Sequence, residues 1–592
     1  FLNEVWSRRG SAARQRLGAS DNSSPRTNIT SKSATTADQA ELASLLNHVV
    51  LPPRQVADAH LNNYWKHFYP FNPILHQASF QKRYLNLPIT VILMFMLMRC
   101  GARYEEVWTG RVNHDAVEIS VHSVRAFHAL LNIIMALGCL FPQLDDKNSI
   151  TKTNGGIFLE RSQQLQLQAS LDHASLTLVQ ANALTAQYLS TTGMVNRCWV
   201  TLGVAIRTAQ GIGIHLDLPS ESQAQRQERR RTWWYCVQMD RVTGMVYGRP
   251  PMVLWPTGVP HPDIVDDNAL STEPCSAAYP IQSVQISEQS YFIHSLQLSD
   301  ILLDILNADK SLSRDKHLVN QDCNQLVELD SQLAKWKCQL PEILSFDPQA
   351  DISGDGPFRR EATFLYSRFL HLRILLFRPF IINLARKTCS EGDSLLWTDF
   401  QYSVVSGCAK ACISAAQELI SVLHKRCMST DGRPSHWWFA VFYLFTAGTV
   451  ILAFKSSPKL RALQTDANGQ MERSWAMAIE ILSIFERHGN VFARRCLWIL
   501  ATSLNQISQA SPDRASEEAD KGPPGGSPGP NEGLQHSGTH DSTDILPGDE
   551  SIVDRLWSAT SLDWLNGIPE LDETENEAMM TFNDMYTEGP NM

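Results

Sequence analysis

Apolar residues recur three and four positions apart in one long stretch of this chain after another, and they almost never alternate with polar ones two by two. That period belongs to helices packing one face against a core, so the pattern predicts an all-α protein. Leu42, Leu45, Leu46 and Val49 fall at helical spacing before Pro52 and Pro53, and a second helix should follow Pro53 and run through Tyr64, Trp65 and Phe68 to Pro70. Further helices are predicted over Ile89 to Cys100, Val121 to Cys139, Ile157 to Leu171, Leu176 to Thr191, Asn196 to Gly211 and Glu228 to Tyr247. Beyond a Pro- and Asp-rich loop, Trp255 to Pro280, the pattern resumes over Gln289 to Asn307, Val319 to Cys338, Leu365 to Phe380, Val404 to Lys425, Trp437 to Phe454 and Arg473 to Glu486. Ile157 to Leu189 reads as a paired helical hairpin.

The ends break the pattern. Residues 1–40 are rich in Ser, Thr, Asn and Arg without apolar periodicity, a solvated linker with a basic start in Arg8, Arg9, Arg14, Arg16, Arg26 and Lys32. After Ser511 the run P-D-R-A-S-E-E-A-D-K-G-P-P-G-G-S-P-G-P cannot bury enough apolar surface to order itself. The expected organisation is therefore a linker at 1–40, a helical domain at 41–510 and a tail at 511–592. From Asp541 onward thirteen Asp and Glu face one Arg, which puts −12 of the formal charge of −10 in that tail and leaves the rest near neutral. The tail intersperses these acids with Trp557, Leu562, Trp564 and Leu565, a composition in which carboxylates keep aromatics exposed until a partner groove accepts them. A near-neutral body is not the basic surface that a self-sufficient nucleic-acid binder needs.

Candidate chemistry is sparse. The twelve cysteines are scattered through apolar segments, as reduced intracellular thiols are. Cys408 and Cys412 share a helix face and could chelate a metal, but small buried residues between packed helices is the favoured reading. His60 and His67 share a face, and His76 follows a proline turn; each is expected to satisfy a local hydrogen bond. His215 and Asp217 could form a polar pair in a pocket, but a His at a helix C-terminus with Asp capping the next turn is favoured. Gly211-x-Gly213 lacks a third glycine and a preceding strand, and no nucleotide loop, metalloprotease motif or nucleophile elbow occurs, so neither a catalytic residue nor a metal ligand is assigned. Trp437 to Phe454 holds eighteen uncharged residues, the lower edge of a membrane span, and is expected to be a buried helix instead.

The most informative stretch is Ser222 to Val253. Arg229, Arg230 and Arg231 precede an aromatic helix containing Trp233 and Trp234; Asp240 and Arg241 lie within it, and Gly248-Arg249-Pro250-Pro251 ends it. Trp233, Val237, Gly244 and Gly248 form one stripe, whose glycines should admit a close helix neighbour. The arginines are expected to be held by carboxylates or carbonyls, with Asp240 a candidate partner, and Asp240 and Arg241, if buried, must be paired. This order of a basic run, Trp pair, Asp-Arg and Gly-Arg-Pro resembles the middle homology region of fungal zinc-cluster transcription regulators. Three more motifs resemble it in the same order: Y-W-K-H-F-Y-P-F-N-P-I-L-H-Q-A-S-F, with Tyr64, Pro70, Pro73, His76 and Phe80; the helix through Gly203 ending in Gly213 and His215; and the Leu-Phe-Arg-Pro-Phe close at 376–380.

The resemblance implies an all-helical regulatory domain in a nuclear transcription factor acting on RNA polymerase II-type transcription. It also implies dimerisation, DNA as partner, and a helical domain that restrains or releases the tail on binding an effector metabolite between helices; the tail's composition, two Trp included, favours an activator engaging coactivators over a merely solubilising tail. The family carries a six-cysteine cluster binding two zinc ions, yet no Cys precedes Cys100 and no Cys-x-x-Cys occurs. The chain opens on Phe1, so the expectation is a module upstream of it, with zinc bound only there. The alternative is a cofactor-like protein that reaches DNA through a partner factor. An enzyme with a helical active site or a membrane-bound helical protein is the remaining rival.

Overall fold

The computed structural model describes residues 51–86, 121–141, 154–170, 174–217, 222–254, 258–270, 287–314, 323–347, 358–386, 399–429, 437–463, 469–488 and 490–509, and helices build most of them. The linker at 1–40, the helix at 89–100 and the tail residues Trp557, Leu562, Trp564 and Leu565 lie outside them. Among the described residues there are fifteen α-helices and no strand, which agrees with the all-α expectation.

The first six are α1 (Arg54–Asn63), α2 (Gln77–Leu85), α3 (Val121–Gly138), α4 (Gly155–Ser170), α5 (Leu176–Thr191) and α6 (Val195–Gly211). Helix α1 continues through a π turn, Tyr64–Phe68, into a 3-10 turn, Tyr69–Phe71. Pro70 and Pro73 then turn the chain, and Ile74, Leu75 and Phe80 tuck into the core as their apolar character requires. Helix α3 is buried along nearly its whole length and packs against α1, α4 and α5, so the predicted α4–α5 hairpin is one side of a larger cluster. The closest approach in this cluster falls at Gly138, where a Cβ would lie 2.1 Å from the His60 carbonyl oxygen, so only glycine lets α1 cross there.

The long α7 (Gln223–Tyr247) packs on α5 and α6 and hands over to α8 (Ser290–Arg314) and α9 (Cys323–Cys338). The second cluster comprises α10 (Arg359–Arg386), α11 (Asp399–Ser429), α12 (Trp437–Ser456), α13 (Pro458–Leu463), α14 (Gln470–Arg487) and α15 (Val491–Gln509). At its centre lies α12, in contact with α10, α11, α14 and α15. Among the described residues α12 is the one helix long and apolar enough to cross a membrane, but every residue from Ala440 to Phe454 is buried against those neighbours. That burial is how the central helix of a large helical core behaves. Three helices go beyond the sequence expectation: α2, α13, and α15, whose Ala493, Cys496, Leu497, Leu500, Ala501 and Leu504 carry a clear helical stripe.

Candidate regulatory site

Helix α7 starts earlier than its apolar stripe suggests. The Ser222 hydroxyl accepts from the Gln225 amide and the Gln225 side chain accepts from the Ser222 amide, a reciprocal capping box that moves the start to Gln223. Arg229, Arg230 and Arg231 therefore sit more than a turn inside the helix and point to different partners. Arg229 reaches the Ile212 carbonyl at 3.4 Å. Arg230 grips Asp217 through two hydrogen bonds of 2.9 and 2.6 Å and lies 3.3 Å from Asp263. Arg231, 1% exposed, pairs with Asp267 at 2.6 Å. The arginine run is thus a set of internal clamps, and its partners are Asp217, Asp263 and Asp267, not Asp240. Asp217 is likewise not the cap of the next helix, because Ser222 fills that role.

Asp267 is a hub. One of its oxygens accepts from Arg231 and the Gln289 side chain, the other from the Tyr69 hydroxyl at 3.0 Å and the Gln77 amide at 2.9 Å. It thereby ties the proline turn, α2 and the start of α8 to α7. Burial alone would raise its pKa, but the Arg231 guanidinium and the Gln77 amide hold it below the ordinary carboxylate value.

The end of α7 folds back on its own helix. Gly248 closes it in the left-handed conformation, φ 67°, which favours glycine. The following turn brings the Arg249 carbonyl to within 2.9 Å of where a Gly244 Cβ would lie, so the close neighbour is the chain's own turn and not another helix. Asp240, fully buried, accepts the Met252 and Val253 amides at 2.7 and 2.8 Å on one oxygen and holds that turn down. Arg241 pairs with Asp300, which also binds His261 at 3.0 Å, so Asp240 and Arg241 are both buried but do not pair with each other. Trp234 stands edge-on to His261 at 4.2 Å and donates to the Pro260 carbonyl. Arg249 lies over the Trp199 ring and bonds Asn196. We expect Gly244→Ala to cost about 1–3 kcal/mol, since backbone is what the added methyl meets; an unchanged urea midpoint would refute the close contact.

The other singled-out residues serve packing. Tyr64 stacks on Phe68, Phe80 meets Phe127 and Trp65, and the His76 ring nitrogen caps α2 by accepting from the Ser79 amide. Gly213 holds a positive φ of 73° and His215 faces the buried Trp233. Gly203 lies beneath Met252. His60 lies against Cys139 and Phe158, and His67 stacks on Phe141, so the two do not converge on one point. Cys412 is buried against the Ile374 carbonyl, as the packing reading of the Cys408–Cys412 pair expects.

A pocket between helices was expected from the resemblance, but not its place, which is where the two helix clusters meet. A cavity of about 30 Å³ opens between the 3-10 turn, α5, α7, α8, α10 and α12. Its apolar walls include Phe71, Met239, Val242, Met245, Phe364 and Phe439. Its polar groups include Gln187, Gln238, Ser295, Arg368, His371 and Tyr443. The Ser295 hydroxyl accepts from Gln238 at 2.7 Å and from Arg368 at 2.5 Å. His371 stacks on Tyr443 with ring centres 4.4 Å apart, and burial, helped by Arg378 and Arg368, pushes its pKa down to about 3, so it is neutral. The available signal was Arg368 and His371, three residues apart in the apolar run F-L-Y-S-R-F-L-H-L.

The comparisons place this architecture. Residues 61–337, from the end of α1 to the end of α9, match the family described as the fungal specific transcription factor domain. The chain is 25% identical over 79% of its length to the sorbicillinoid biosynthetic cluster transcription factor 2 of Penicillium rubens, covering 63% of that protein. It is 24% identical over 59% of its length to the transcription factor FBD3 of Gibberella moniliformis, covering 47% of it. To the nitrogen assimilation transcription factor nit-4 of Neurospora crassa it is 30% identical over 43% of its length, covering 23% of that protein. The chain thus spans no more than about two thirds of the relatives it matches. Motif order, helical fold and these similarities agree: residues 61–337 match the fungal specific transcription factor domain, and the chain is similar to fungal transcription factors.

Proposed function

We propose that this chain regulates transcription in the nucleus, with its helical body as the control unit and its acidic, aromatic tail as the activating segment. The carrying observation is that a fungal transcription factor domain is followed in one chain by a segment of net charge −12 that contains Trp557, Leu562, Trp564 and Leu565. In this reading the tail recruits coactivators as a short amphipathic segment, and the charged clamps of α7 keep the control unit in one conformation. No reaction is assigned to the helical domain. DNA contact is supplied by a zinc-cluster module or a partner factor, because these 592 residues hold no Cys-x-x-Cys pair. The arginines of α7 do not take that role, since carboxylates and a carbonyl already engage them.

The test tethers the chain to a reporter promoter through a foreign DNA-binding module. Truncation after Ser511 is expected to remove most of the output, and replacing Trp557 and Trp564 with alanine to reproduce much of that loss. Undiminished activation by the truncated chain would take the tail out of the mechanism.

A further inference from the structure

The cavity between the two helix clusters contains a charge that the protein does not answer. Arg368 is 8% exposed and lines the cavity from α10. Its Nη1 donates to Ser295, a neutral hydroxyl, while its buried Nη2 has no partner. The Nδ1 of His371, one turn further along the same helix, is also buried without a partner. No Asp or Glu lines the cavity, and the nearest acid on the same helix, Glu361, is engaged by Arg360. Arg231 and Arg241 show what this fold does elsewhere with a buried guanidinium, for each faces a carboxylate. An isolated buried cation is costly, so a site that retains one and opens it to a cavity is built to receive an anion.

We propose that Arg368 is the anchor of an effector site for a small organic monocarboxylate with an apolar body. A planar guanidinium presents a fork of N–H groups that matches a carboxylate. One negative charge neutralises the one cation, whereas a phosphate dianion would leave excess charge among Phe71, Phe364 and Phe439. The Gln238 amide and the Tyr443 hydroxyl supply further polar contacts beside the guanidinium. The space of about 30 Å³ takes the carboxylate head, and Met239 and Met245, unbranched and adaptable, give way to the body. Arg368, His371 and Tyr443 lie outside the matched family region while Gln187, Gln238 and Ser295 lie within it, so the ligand would bridge the two parts of the domain. This deepens the control-unit reading by naming the chemistry of its input, and rests on that reading only for the consequence of binding.

The experiment measures melting of the purified full chain with sodium propionate and sodium benzoate, against propionamide, benzamide and sodium chloride at matched ionic strength. At saturation a carboxylate is expected to raise the melting temperature by about 3 °C and its amide not to. Arg368→Met should abolish that shift while melting no lower than wild type without ligand, because it replaces an unanswered charge by an apolar chain of similar length. Equal shifts from acid and amide, no shift from either acid, an undiminished shift in R368M, or R368M melting several degrees low without ligand would each overturn the site. The tethered reporter keeps the failures apart: loss of the carboxylate response with intact tail-dependent activation removes the site alone.

Discussion

Replacing Asp240 with alanine is expected to destabilise the helical domain by about 3–5 kcal/mol, enough to unfold a marginal protein. The carboxylate is fully buried and receives the Met252 and Val253 amides on one oxygen, so its removal leaves two donors inside without an acceptor. The turn they belong to is the one pressed against Gly244, and it has no slack to find other partners. Asparagine keeps an acceptor for the two amides and should cost less than alanine.

The pH dependence separates this role from an ordinary ion pair. Burial pushes the Asp240 pKa up from 3.8 to about 6, against the pull of the two amides and Arg241. Below 3.8 the folded and unfolded chains both hold the proton; between 3.8 and about 6 only the folded chain does, so each step up in pH in that window costs the folded state. Above it both are ionised and the contribution is level. The Asp240→Asn variant lacks this loss, so its stability relative to wild type should improve as pH rises through that window, measured by urea midpoints. A constant difference between the two proteins across that range would show that Asp240 titrates normally and is not desolvated.

The second large effect is expected at Arg231. Arg231→Met should cost about 3–5 kcal/mol, because it strands the Asp267 carboxylate among Tyr69, Gln77 and Gln289 with no compensating cation. Arg230→Met, one residue away, should cost about 1 kcal/mol or less, since its partners Asp217 and Asp263 are 30% and 44% exposed and water can replace it. Adding salt should narrow the Arg230 effect and leave the Arg231 effect almost unchanged. The Asp267 pKa is held below the ordinary value, so its contribution is present above pH 3.8 and fades as the pH falls further; R231M should weaken that acid sensitivity. Equal losses for the two substitutions would mean that position in the run is irrelevant, and the hub role of Asp267 would have to be abandoned.

Much of this was legible from the sequence because helices are local. The spacing of apolar residues placed α5 over Leu176–Thr191 and α6 within one residue of its observed start. Pro70 and Pro73 announced the corner, Gly248 and Pro250 the end of α7, and the uncharged run from Trp437 the buried centre of the second cluster. Where the reading stopped short, local signals still existed: the Ser222–Gln225 box starts α7 at Gln223, and the stripe of α15 is as regular as its neighbours. Helix α10 was harder to read. It passes through Pro379 to Arg386, because packing holds it together beyond a residue that cannot donate.

Partner choice belongs to the tertiary structure. Periodicity put Arg230, Arg231, Asp240 and Arg241 on a helix, but which carboxylate meets which guanidinium depends on a turn 36 residues downstream of Arg231 and on helix α8, 59 residues downstream of Arg241. A buried charge announces only that it needs a partner; spacing along the chain does not say whether that partner is a side chain, a pair of amides or a cavity. Arg231 found an aspartate, Asp240 two backbone amides, and Arg368 a cavity lined by residues from Phe71 to Tyr443. Helical period is set within a few residues by the backbone's own hydrogen bonds. The burial of charge is settled only when segments hundreds of residues apart have packed and excluded water.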